Sequence, residues 1–243
     1  TAPSMRTLAH TTSVTAVAFH PAGRVVATGD ANDDGIEDVY VVPGPGIAGV
    51  VKIFSGVDGS LIRTWAANPF PHSKGLSIAT SDTTGDGVPD VFLGTDKGAS
   101  PLVTIWDGKS EQLIRSFVAP NANSKTGVKV TAGDVNGDGF DDVIVGFPHV
   151  DVAGNIDAGT SYVLFGSASK FKPEIDLSRL DSSTGLRLDG AAKFEYSGWG
   201  VNHAGDINGD GFGDVMISGA GAPSLYELGY PTVYAVFGNA AGN

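Results

Sequence analysis

The sequence predicts an all-β chain, a β-propeller of about four four-stranded antiparallel blades, and three observations carry that prediction. One acidic loop occurs four times, at 30–38, 82–90, 134–142 and 206–214, each copy fitting D-x-[N/T]-x-D-G-x-x-D. Short β-branched and aromatic runs flank every copy, as strands do. The first Asp of each loop recurs after 52, 52 and 72 residues, a spacing in the range of repeat architectures.

Aligned on the loops, the strands fall into order. First strands with small residues near their ends are expected at 25–29, 77–81, 129–133 and 201–205. Such small side chains suit the innermost strand of a blade, which crowds against its neighbours near the propeller axis. Second, apolar strands follow the loops at 39–42, 91–94, 143–146 and 215–218. Third strands at 51–54, 103–106, 162–165 and 234–237 end in an aromatic residue with a Gly next or next but one. Outer strands are expected at 61–65, 113–117 and 185–188, and the fourth unit lacks one. Met5-Arg-Thr-Leu-Ala9 matches Ile62-Arg-Thr-Trp-Ala66 and Ile114-Arg-Ser-Phe-Val118 position by position, so strand 4–9 is expected to complete that unit. The chain thus divides as a single domain, 1–243, with units 10–66, 67–119, 120–190 and 191–243. The alternatives are part of a larger propeller, or a homo-oligomer if the ring does not close in one chain. The connection 167–183 absorbs the longer interval and is the place where a short helix is expected.

The loops point to a hard cation. Asp30, Asn32, Asp34 and Asp38 place side-chain oxygens at loop positions 1, 3, 5 and 9, with the carbonyl of Ile36 at position 7. The same positions are held by Asp82, Thr84, Asp86, Val88 and Asp90, by Asp134, Asn136, Asp138, Phe140 and Asp142, and by Asp206, Asn208, Asp210, Phe212 and Asp214. Ca²⁺ takes about 6–8 oxygens, and Gly at position 6 permits the sharp turn that brings them together. An EF-hand is excluded, because it needs Glu at position 12, where Val41, Leu93, Val145 and Ile217 stand here. Thr84 offers a hydroxyl in place of an amide oxygen, which makes the second loop the weakest expected site. About four Ca²⁺ ions are expected, acting as structural staples. An ordinary Asp-Gly turn would explain one such loop but not four.

Composition agrees. The formal charge of −12 argues against a nucleic-acid partner, which needs a basic face. Each loop carries three ligand Asp residues, and four Ca²⁺ would bring the charge to about −4. With no Cys, disulfides and thiolate metal sites are excluded. No apolar run reaches the roughly 18–20 residues of a membrane span, so no membrane insertion is expected. Nor is there a signal-peptide pattern. Loops of this kind fill at millimolar extracellular Ca²⁺, which points to a secreted or cell-surface protein.

Trp65 and Trp106 fall at repeating strand positions and read as packing residues. Trp199 stands where other units have Gly23, Gly75 and Gly127, and is the candidate exposed aromatic. His203 replaces Ala27, Ala79 and Thr131 on a first strand, where packing is its expected role. His10, His20, His72 and His149 share no motif, and neither a nucleophile elbow, a zinc-protease motif nor a P-loop is present. No catalytic residue and no enzymatic activity are expected.

The units resemble FG-GAP repeats of the integrin α-subunit type and of related bacterial surface proteins. The matching residues are Ala204-Gly-Asp-Ile-Asn-Gly-Asp-Gly-Phe-Gly-Asp-Val215, Gly221-Ala-Pro223 and Val236-Phe-Gly238, with Ala132-Gly-Asp-Val-Asn-Gly-Asp-Gly-Phe-Asp-Asp-Val143 and Leu164-Phe-Gly166 in the third unit. The resemblance runs from about Arg24 to the end. It implies a calcium-binding propeller acting in adhesion or recognition, with an extracellular protein or glycan as ligand. The alternatives are a lectin-like propeller and a propeller-scaffold polysaccharide lyase. Two departures stand out: the family's usual ring has seven blades, and 9–29 looks more like the opening of a WD40 blade, leaving an extra strand at 14–19.

Overall fold

The computed structural model describes residues 25–44, 49–66, 75–96, 98, 100–118, 127–167, 177–221 and 231–240. The strands are β1 (Val25–Gly29), β2 (Asp38–Val42), β3 (Val50–Phe54), β4 (Leu61–Ala66), β5 (Leu76–Ser81), β6 (Asp90–Thr95), β7 (Leu102–Trp106) and β8 (Leu113–Val118). They continue as β9 (Lys129–Gly133), β10 (Asp142–Phe147), β11 (Thr160–Leu164), β12 (Gly185–Asp189), β13 (Gly200–Gly205), β14 (Asp214–Gly219) and β15 (Thr232–Val236). One 3-10 turn, Leu177–Arg179, lies in the long connection where a short helix was expected.

The strands form four antiparallel sheets in chain order, β1-β2-β3-β4, β5-β6-β7-β8, β9-β10-β11-β12 and β13-β14-β15. Each sheet is a meander, and each acidic loop joins its first strand to its second, as the sequence predicts. The expected strands 4–9 and 14–19 lie outside the described residues.

The sheets are assembled through their first strands: β1 lies against β5, β5 against β9 and β9 against β13. Small side chains allow this approach and also stitch it. Thr80 Oγ1 donates to the Thr28 carbonyl at 2.6 Å, and Ser77 Oγ to the Val128 carbonyl at 2.7 Å. A Cβ on Gly29 would come within 2.7 Å of Pro89 Cγ, so the glycine is needed for contact between the first two sheets.

Each sheet buries one face against the next. Tyr40 and Ile53 of the first sheet pack with Val91 and Leu93 of the second. Phe92 and Ile105 then pack with Val143 and Val145, and Ile144 and Val163 with Val215 and Ile217. Removing such side chains from water contributes about 1.5–3 kcal/mol apiece. Sheets two and three are covered on both sides, so β6 and β10 are buried at every position. In the first sheet β2 alternates buried and half-buried residues. The fourth sheet leaves its outward face open: Met216, equivalent to Tyr40, Phe92 and Ile144, is 41% exposed, and Val233 and Phe237 are 56% and 55% exposed. Among the described residues no strand lies beyond β15, and β13 does not return to pack on β1 as the other first strands pack on one another.

Candidate cation-binding loops

The four loops adopt one conformation because the same residue types recur at the same turn positions. Position 6 is left-handed in each, at Gly35, Gly87, Gly139 and Gly211 (φ 81°, 84°, 86° and 93°). Position 4 is left-handed too, at Gly85, Gly137 and Gly209, whereas loop one holds Asp33 there at φ 61°. Asp tolerates this region better than most residues, at some cost in strain.

The first Asp organises each turn from inside. Asp30 Oδ2, Asp82 Oδ2, Asp134 Oδ2 and Asp206 Oδ2 accept the position-6 N–H at 2.8, 2.8, 3.0 and 2.8 Å. The position-5 Asp accepts the position-7 N–H in all four loops, the donors being Ile36, Val88, Phe140 and Phe212. Asn32, Asn136 and Asn208 accept the N–H of Asp34, Asp138 and Asp210 with their amide oxygens. Thr84 cannot imitate this, and its hydroxyl donates instead to Asp82 Oδ1 at 3.3 Å. The position-7 side chains play no common part: Ile36 is exposed, Val88 is buried, and the Phe212 ring covers Gly137 of the preceding loop.

The ninth-position aspartates are a different kind of residue from the other ligands. Asp38, Asp90, Asp142 and Asp214 are fully buried. One oxygen of each accepts the position-2 N–H, from Ala31, Thr83, Val135 and Ile207 at 2.9, 3.0, 2.9 and 2.8 Å. The other accepts the N–H of the glycine after the third strand, from Gly56, Gly108, Gly166 and Gly238 at 3.0, 3.2, 2.8 and 3.0 Å. Each carboxylate therefore ties its loop to a strand end 18 or 24 residues on. The glycine is obligatory, since an added Cβ would sit 2.0–2.4 Å from the position-8 carbonyl oxygen in all four units. Sequence reasoning recorded the aromatic-then-Gly pattern without seeing that its N–H meets the ninth Asp.

At Asp38, Asp90 and Asp142 burial acts on the carboxyl more strongly than its N–H partners do. It raises Asp38 above the usual carboxylate range, with the nearby Asp34 and Asp30 adding to it, and pushes Asp90 up to about 6 and Asp142 to about 7. Among the described residues no Lys or Arg forms an ion pair with a loop ligand. The donor set fits a hard divalent cation: carboxylates at positions 1, 5 and 9, an amide or hydroxyl oxygen at position 3 and a carbonyl at position 7. Among the described residues no three acidic or histidine side chains converge as a ready-made cage. The loops are folded by their own N–H groups, and a cation would draw on the lone pairs these leave.

The other singled-out residues separate cleanly. Trp65 and Trp106 are 7% exposed and belong to the core, whereas Trp199 is 49% exposed. A Cβ on Gly133 or Gly213 would strike the His203 ring, so the ring packs between these glycines, and its Nε2 is buried without a hydrogen-bond partner. His10, His20 and His72 lie outside the described residues.

A loop of this chemistry between the first and second strands of a repeated antiparallel sheet defines a class of repeat, and the comparisons place it. The chain carries FG-GAP, integrin α-like repeats, and the FG-GAP repeat model matches residues 126–164. Integrin alpha-V of Gallus gallus is 30% identical over 198 residues, covering 79% of this chain and 18% of the integrin. Integrin alpha pat-2 of Caenorhabditis elegans is 30% identical over 182 residues, covering 69% of this chain and 14% of the integrin. The chain thus spans less than a fifth of the length of these relatives. A search of solved structures finds the V. cholerae biofilm matrix protein Bap1, 20% identical, with 93% of this chain and 40% of that one covered at a TM-score of 0.42.

Proposed function

We propose that this chain forms successive blades of an extracellular, calcium-stabilised β-propeller that serves as an adhesion or recognition module and not as an enzyme. The observation that carries the reading is the fourfold loop, closed each time on a buried ninth-position carboxylate. Asp30, Asn32, Asp34, the Ile36 carbonyl and Asp38 would hold the first ion, and the equivalent residues the other three. A bound Ca²⁺ would supply the positive charge that the three carboxylates of each loop lack and draw them together, and its binding free energy would become folding free energy.

Thermal unfolding with millimolar calcium against EDTA, beside native mass spectrometry, tests this. With dissociation constants near 10⁻⁴–10⁻³ M, four sites at about 1 mM Ca²⁺ contribute roughly 2–6 kcal/mol. For a chain of this size that is a shift of about 5–20 °C. An unchanged melting temperature with a metal-free mass would reduce the loops to turns and remove the reading.

A further inference from the structure

Two connections at the ends of the third and fourth sheets opposite the acidic loops build a second feature, which the calcium reading does not use. The β10–β11 connection, 148–159, and the β12–β13 connection, 190–199, are zipped together. Phe194 N–H donates to the Ile156 carbonyl at 2.9 Å, Tyr196 N–H to Asp157 at 3.0 Å and Ser197 N–H to Ala158 at 2.9 Å. Ala153, Asp157, Phe194 and Tyr196 are held there at φ 50°, 53°, 60° and 57°. These are four of the six left-handed non-glycine positions among the described residues. Bulky aromatics avoid that region, and strained backbone of this sort persists where the surroundings over-determine it, often at binding sites.

The strain presents an aromatic shelf. His149 sits in the corner between Tyr196 and Trp199, at ring-centroid distances of 4.8 and 6.1 Å. Tyr196 and Trp199 meet edge to face at 6.3 Å and 74°. His149 fills that corner, so the open surface is the outward part of the indole. Trp199 is fixed from below, its backbone N–H lying 3.0 Å from both the Tyr196 and Ser218 carbonyls. Polar groups stand alongside, with His149 Nδ1 3.1 Å from Asp157 Oδ1. In the same connection the Glu195 carboxylate accepts the N–H groups of Ala191 and Ala192 and the Tyr234 hydroxyl.

We propose that this shelf binds a neutral pyranose glycan, the sugar's C–H face stacking on Trp199 and its hydroxyls meeting the His149–Asp157 pair. A flat, rigid, half-exposed ring beside a hydrogen-bonding pair matches a sugar, which is apolar on its ring face and polar at its rim. The exposed apolar surface here is Trp199 with Ile156, far less than the roughly 800 Å² per partner of a stable protein interface. On these two connections Asp151, Asp157 and Glu195 outnumber Lys193, which lies over the Phe194 ring, and this local negative charge disfavours uronate and sulfated polymers, which leaves neutral sugars. The proposal rests on reading the chain as a recognition module and gives that module its ligand class. The calcium melt and sugar binding are read separately, so either can fail alone.

The test uses the chain's own fluorophores, since Trp65 and Trp106 are buried and Trp199 is exposed. The intact protein in calcium is titrated with cello-, manno-, malto- and xylohexaose, and with polygalacturonate and a sulfated glycan. Support is a saturable emission change with at least one neutral hexasaccharide and, because both variants lack the reporting indole, calorimetric binding of that sugar that is weakened at least tenfold in Trp199→Ala and retained in Trp199→Phe, the variants melting like the parent. No change with any neutral sugar up to about 10 mM, beyond the weak end of specific binding, overturns the proposal. So does binding of only the anionic polymers, or binding that survives Trp199→Ala.

Discussion

The ninth-position aspartate separates two roles that the loop motif lists together. Asp138 is exposed and accepts the Phe140 N–H where water can replace it, whereas Asp142 is buried and holds two backbone N–H groups inside the protein. Asp142→Ala would orphan both donors, at about 1–3 kcal/mol each. The expected loss of roughly 2–5 kcal/mol in urea unfolding should persist in EDTA. Asp138→Ala should lose stability only in calcium. If both variants behave alike in EDTA, the buried carboxylate is not the hub described. A similar argument applies to Gly108, where a methyl group would lie 2.0 Å from the Pro89 carbonyl oxygen. Gly108→Ala should cost about 2 kcal/mol or more, in the range of overpacked sites. Gly85→Ala, in open space at φ 73°, should cost only the strain of its left-handed backbone, about 1–2 kcal/mol.

At the scale of the element, the four loops are near copies that differ at position 3, and the difference is testable. Thr84→Asn would restore the amide oxygen that accepts the position-5 N–H in the other loops. It should tighten the weakest calcium event by about three- to tenfold, or up to 1.4 kcal/mol, in a calorimetric titration. An unchanged isotherm would mean that position 3 does not bear on the ion. The loops and strands were legible in the sequence because both follow from local chemistry. Asp and Gly at fixed offsets dictate the turn, and Val, Ile and Phe runs such as 143–146 dictate a strand buried on both faces. What lay outside that logic was anything set by distant contacts. Phe194 and Tyr196 carry no glycine to announce a left-handed backbone; the carbonyls of Ile156 and Asp157 impose it. The pairing of Asp142 with Gly166, 24 residues on, is equally invisible to a window of sequence. Trp199 was flagged because it broke the repeat, but its partners His149 and Tyr196 were not.

At the scale of the molecule, each sheet has a face that meets the next sheet and a face that meets the previous one, so the array has two unlike ends. One end is the Met216–Val233–Phe237 face of the fourth sheet; the other is the Val39–Val41 face of the first, half-buried where Val91 and Leu93 are fully buried. An uncovered apolar face of this kind marks an interaction site. Ends of this sort join head to tail, which closes a ring if the rotation allows and otherwise builds an open filament. The propeller proposed above requires closure, and on that proposal Met216 should be covered in the assembled protein, either by the first sheet or by further sheets of the same kind. Met216→Asp would then put a charge into a buried contact and should cost roughly 2–4 kcal/mol, or dissociate an oligomer seen by sedimentation. Val57→Asp is the control, because Val57 is 62% exposed in the β3–β4 turn. It should stay within about 0.5 kcal/mol of the parent. Equal, negligible effects of the two changes would mean that the fourth sheet ends in solvent and that four sheets stand as an open arc.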